Sequence, residues 1–90
     1  MSKEEGKEEG KLIGHVVHYF DKIGVAVIQL SDTLKDGDEI RIAGGESTDF
    51  TQTVESMQVD HKEIKKGKKG DEVGMKVKEK IREGYKVYKI

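Results

Sequence analysis

The sequence predicts an all-β domain closed into a small barrel, on three observations. Apolar residues recur with a period of two rather than about 3.6. Eleven glycines in ninety residues interrupt every window long enough for a helix. Short segments rich in valine, isoleucine and aromatics alternate with glycine-containing polar turns. Ninety residues make one domain. With 33% hydrophobic and 39% charged residues, its core must be thin. Closure is favoured because so short a sheet gains most from losing its free edges.

The elements follow in order. "MSKEEGKEEG" (1–10) has no apolar residue after Met1 and nothing to offset its conformational entropy, so a disordered charged tail is expected there. The single folded domain then spans 11–90. "LIGHVVHYF" (12–20) and "GVAVIQL" (24–30) read as strands joined by a turn at "DKIG" (21–24). "DEIRI" (38–42) sets Ile40 and Ile42 on one face, Glu39 and Arg41 on the other. "FTQTVESMQV" (50–59) reads as one long strand whose apolar parity changes between Val54 and Met57. Such a change predicts a bulge, or a strand passing from one side of a barrel to the next. "EVGMKVKEKI" (72–81) puts Val73, Met75, Val77 and Ile81 inward and Lys76, Lys78 and Lys80 outward, with Glu79 breaking the pattern. "YKVYKI" (85–90) closes the chain with a further parity shift, for six strands in all.

One turn device recurs. "LKDGDEI" (34–40) and "IREGYKV" (81–87) share an aliphatic residue, a basic residue, a spacer, glycine, two residues and the next strand's first aliphatic. "IKKGKKGDEV" (64–73) is the same device with three residues inserted. Glycine supplies the positive φ of the turn, and the leading aliphatic pins it to the core. On that reading Ile64 is a core anchor and the lysines around it point to solvent.

Several chemistries are excluded or unsupported. Without cysteine there is no disulfide, thiolate metal site or thiol nucleophile. No apolar run approaches the roughly 20 residues needed to span a bilayer, and an acidic start is wrong for a signal peptide. The expectation is a soluble cytoplasmic protein with no membrane partner. His15 and His18, three apart, are expected on opposite faces of a strand, and His61 lies in a distant loop, so no metal is expected. Ser31-Asp32 and Ser47-Thr48-Asp49 set hydroxyls beside carboxylates, but turns and caps use the same pairs. Nothing places a nucleophile beside an oriented base, so neither catalysis nor a cofactor is expected.

Charge is unevenly spread. Residues 11–60 carry four basic and nine acidic side chains, residues 61–90 eleven basic and five acidic. Lys62, Lys65, Lys66, Lys68 and Lys69 fall within eight residues, followed by Lys76, Lys78 and Arg82 on or just past the next strand. This set is the candidate RNA-binding site, acting through non-specific phosphate attraction. A solvated turn feeding a strand accounts for the same lysines, since arginine and spare aromatics for base stacking are scarce.

Gly14-His15-Val16, Gly24-Val25-Ala26-Val27, "LKDGDEIRIAG", "VESMQ" and "GDEVGMKV" occur in the order of domain II of the translational GTPases. From Lys11 to Ile90 the chain resembles that barrel, found in elongation factor Tu and its relatives. The resemblance implies a six-stranded Greek-key-like barrel of the reductase, isomerase and elongation factor type. It implies no nucleotide site, because the Gly-x-x-x-x-Gly-Lys-[Ser/Thr] loop is missing. Ser56 stands where the elongation factor carries an acidic residue, so tRNA-end recognition does not carry over.

Three functions are expected in turn. The first is a non-catalytic translation-factor-like module docking on structured RNA or a ribonucleoprotein. The second is a protein-interaction module or detached accessory domain for a partner enzyme, because collagenase-like peptidases of one family carry a C-terminal barrel of this kind. The third, by analogy with the reductases, is a flavin or small-molecule barrel.

Overall fold

A computed structural model describes residues 10–45 and 48–90. The charged tail expected over 1–10 falls outside the described residues, except for Gly10, and so does Ser47. The described residues form strands and turns without a helix. The strands are β1 (Lys11–Phe20), β2 (Val25–Leu30), β3 (Leu34–Lys35), β4 (Glu39–Gly44), β5 (Thr48–Thr53), β6 (Met57–Val59), β7 (Lys62–Ile64), β8 (Lys66–Gly67), β9 (Glu72–Lys76) and β10 (Lys86–Lys89).

Eight of them make one antiparallel sheet in the order β5-β4-β10-β1-β2-β9-β6-β7, and β3 pairs with β8 in a separate ribbon. Alternation drives this arrangement. In β2, Ala26, Ile28 and Leu30 turn inward while Val25, Val27 and Gln29 stay half-covered. The interior is aliphatic, built on Ile13, Val16, Ile28, Leu34, Ile40, Ile42, Val54, Met57, Val73 and Val87. Gln52 is its one buried polar residue among those described.

The all-β class expected from the sequence is present, but the strands do not close into a complete ladder. The strand ladder is open, with β5 and β7 at its ends. Beside β5 runs the end of β9 and the residues after it, with no backbone ladder between them. The Gln52 side chain bridges the gap, its Nε2 donating to the Lys76 carbonyl at 2.9 Å and its Oε1 accepting from the Lys78 N–H at 2.9 Å. One side-chain amide makes the two bonds a facing peptide group would have made.

The long strand expected over 50–59 is two strands. β5 pairs with β4, whereas β6 pairs with β7 and β9 at the other end of the sheet. Between them buried Val54 donates its N–H to Asp38 and accepts from the Gly37 N–H, which turns the chain across the core. The strand expected over 72–81 ends at Lys76, although Ile81 still reaches the core. β7 and the β3–β8 ribbon were not expected. Each is two or three residues long and mostly polar, below what periodicity can register.

The repeated turn device takes one form three times. Gly37, Gly70 and Gly84 have φ of 93°, 94° and 93°. The Lys35 N–H donates to Asp38 Oδ2 and the Lys68 N–H to Asp71 Oδ2, each at 2.9 Å. Ile64, expected as a core anchor, is only half-buried. The aliphatics preceding the other two turns, Leu34 and Ile81, are buried.

Candidate functional site

The eight basic residues singled out from the sequence are all exposed, and the fold divides them. Lys62 opens β7 opposite Val59, Lys66 pairs with Lys35 in the ribbon, and Lys65 lies between, its carbonyl accepting the Asp36 N–H. Lys68 and Lys69 form the turn bracketed by Asp71, against the end of β2 where Gly70 donates to the Leu30 carbonyl. Lys76 sits at the other end of β9, opposite Val25, with Lys78 just beyond it at Gln52. The two ends of β9 are separated by about 13 Å at the usual strand rise of about 3.3 Å per residue. Arg82 stands apart, beside Tyr19, Asp21 and Glu83. The lysines that open this basic stretch are thus turn and ribbon residues held outward by the backbone.

The histidines are placed differently from the expectation. The β1–β2 register shifts between Val16 and His18, so that His15 faces Gln29 and His18 faces Val27. The bulge resets the parity and brings both imidazoles to the outer face, which a count of three residues along a regular strand cannot foresee. His18 Nδ1 lies 3.2 Å from Glu83 Oε2, and its ring stacks on Phe20 at a centroid distance of 5.9 Å. Among the described residues no three His, Asp or Glu converge as a metal site would require.

Two clefts remain. The first, about 460 Å³, lies at the seam between β5 and the end of β9 and is lined by Gln52, Thr53, Glu55, Ser56, Lys76, Val77 and Lys78. The Gln52 amide there is already engaged by backbone on both sides. The second is a groove of about 590 Å³ on the outer face, where β2, β9 and β6 run side by side. Phe20, Ile23, Val25, Val27 and Val59 supply its apolar wall, with Gly74 between them. Phe20 and Ile23 are 49% and 59% exposed. At the opposite end stand Asp60, His61, Asp71 and Glu72.

Sequence reasoning missed this groove because it read Val25, Val27 and Val59 as ordinary strand residues. The available signal was the unbroken run "GVAVI", apolar at positions that face outward as well as inward. Asp60 and His61 have φ of 53° and 66° and form the whole two-residue connection between β6 and β7. Both central residues at positive φ is the type I′ requirement, normally met by Asn-Gly.

Elsewhere the surface is pinned by ion pairs. Lys11 hydrogen-bonds Asp32 at 2.6 Å and, with the Thr33 N–H, holds that carboxyl below its ordinary pKa. The Arg41 guanidinium does the same for Asp49. Neither pair lines the groove.

No protein-family model matches the chain. It is 43% identical over 76 residues to an uncharacterised protease of Methanocaldococcus jannaschii, a match covering 84% of this chain and 19% of that protein. It is 35% identical over 78 residues to a collagenase of Porphyromonas gingivalis, covering 86% of this chain and 22% of the collagenase. The chain therefore spans about a fifth of the length of these relatives. Among solved structures it superposes on the C-terminal domain of a Geobacillus thermoleovorans putative U32 peptidase with a TM-score of 0.83 and 26% identity. That match covers 89% of this chain and 92% of the domain, and a selenomethionine variant of the domain gives a TM-score of 0.82 at 25% identity. These similarities overturn the assignment to elongation factor domain II, and with it the expected translation-factor function and its RNA docking. Glycine turns and alternating valines are common to small antiparallel β folds, and those shared features carried the resemblance.

Proposed function

We propose that the chain is a non-catalytic interaction module serving a peptidase of the U32 kind. The observation that carries this reading is the 43% identity to a segment making up only 19% of a protease. A fold that matches a C-terminal domain over 92% of its length supports it. The physical build agrees. The interior is filled by aliphatic side chains, and its buried polar residue Gln52 is spent on the seam. What the surface offers is an apolar groove, the usual equipment of a binding domain. The same reading treats the fold as a barrel whose last joint is made by Gln52 rather than by paired strands.

The test mixes the purified chain with the Methanocaldococcus relative truncated of its matching segment. Association measured by analytical ultracentrifugation, with gelatin or peptide cleavage by the truncated enzyme raised on adding the chain, is the expected result. The chain alone should release no peptide products. Cleavage by the chain alone, or no association at any concentration tested, would refute the proposal.

A further inference from the structure

The outer groove has a defined polarity, and the geometry points to its ligand: we propose that it binds an extended peptide bearing a bulky apolar side chain and, about four residues along, a lysine or arginine. Three independent features carry this.

The first is Gly74. It sits in the middle of β9, paired on both sides, where glycine weakens a strand. Its φ is not positive, and a Cβ built there would meet only Val25 Cγ1 at 3.7 Å and the Gln58 carbonyl at 3.9 Å, ordinary contacts. The fold does not demand glycine here. Gly67 is the contrast, since a Cβ there would come within 2.6 Å of Leu30 Cδ1. Gly74 therefore leaves open a floor that a side chain would fill, which is how strands admit a second backbone.

The second is charge. The chain carries 17 Lys and Arg, yet the described residues lining this groove include none. Carboxylates stand at one end of it, from Asp60, Asp71 and Glu72. The register sets Glu72 opposite Gln29 and Lys76 opposite Val25, and Phe20 pairs with Val25. The acidic end and the Phe20–Ile23 end are thus four residues apart along β2, about 13 Å at strand rise, the reach of about four extended residues of ligand. A cation at one end and an apolar anchor at the other complement both.

The third is the Asp60-His61 turn. Two non-glycine residues at positive φ are held in a strained conformation that Asn-Gly would relieve. Keeping them places a carboxylate and an imidazole on the groove's rim.

The groove is the one cited for the interaction-module reading, but its peptide ligand requires no peptidase to be present. Its test is fluorescence anisotropy of the intact chain with a labelled peptide carrying phenylalanine and, four residues on, arginine, with serine and threonine between. Saturable binding is expected, weakened about tenfold or more when arginine becomes glutamate or phenylalanine becomes alanine. Gly74→Val should weaken binding by a similar factor without lowering Tm, and Ile23→Ser, on an exposed turn, should act in the same direction. Equal binding of the three peptides, absence of saturation at millimolar peptide, or unchanged binding by both variants would overturn it. A concentration-dependent dimer abolished by Gly74→Val would give the groove to a second copy of this chain and overturn it as well. Failure here leaves the truncated-peptidase experiment untouched, and the reverse also holds.

Discussion

The two faces of β2 and β9 are made by the same backbone and treat apolar side chains in opposite ways. Inward, Ala26, Ile28, Leu30, Val73 and Met75 are at most 3% exposed and pack into one cluster. Outward, Val25 and Val27 are half-covered, and Gly74 contributes no side chain at all. Burying the inner set is what folds the chain. The outer set gains nothing comparable, so its apolar character and its missing side chain belong to what the molecule binds. An inner residue is constrained by volume, an outer one only by the partner it meets.

Substitutions on one strand give the strongest way to break this contrast. Ile28→Ala should cost about 2–5 kcal/mol of unfolding free energy in urea, whereas Val27→Thr, one residue away and facing out, should cost under about 1 kcal/mol. Equal losses would mean that the outer face is structural too. The seam should come next. Gln52→Ala strips the partners from the Lys76 carbonyl and the Lys78 N–H, and about 1–3 kcal/mol of lost stability is expected. Faster hydrogen exchange at the Lys78 amide would locate that loss at the joint between β5 and β9.

Smaller effects sharpen the comparison from the outer side. Replacing Asp60-His61 by Asn-Gly should raise stability by about 1 kcal/mol while weakening peptide binding at the groove. A gain in stability with binding intact would reduce the turn to scaffolding. Smallest is the surface electrostatics. Lys11 lowers the Asp32 carboxyl below the ordinary carboxylate range through a hydrogen bond, and Arg41 lowers Asp49 in the same way. A depressed folded pKa adds stability that is present above the unfolded value and is lost as pH falls through the folded one. Tm should therefore drop below about pH 4. Asp32→Asn should flatten that drop slightly by lowering the neutral-pH Tm a little, with the Tm at the acid end nearly unchanged.

The core was legible in advance wherever strands were regular. Ile40 and Ile42 were expected to share a face and both are fully buried, as are Val54, Met57 and Val73. The parity change after Val54 was legible too, as the point where the chain crosses from the β4 side to the β9 side. The histidines were not, because one bulge in β1 reverses the face of everything beyond it. Nor was the family likeness read correctly, since turn glycines and valine alternation report antiparallel strand geometry rather than descent.

Period-two alternation, eleven glycines and the absence of cysteine were enough by themselves to determine an all-β chain with an aliphatic interior and glycine-led turns. Each of these acts within a few residues of backbone, where steric and conformational preferences are local. Tertiary structure alone decided that the ladder stays open, that Gln52 meets chain 24 and 26 residues away, and that Phe20, Val27, Val59 and Gly74 share a groove. Those outcomes depend on which segments lie side by side once the core has collapsed, and no local period records that choice.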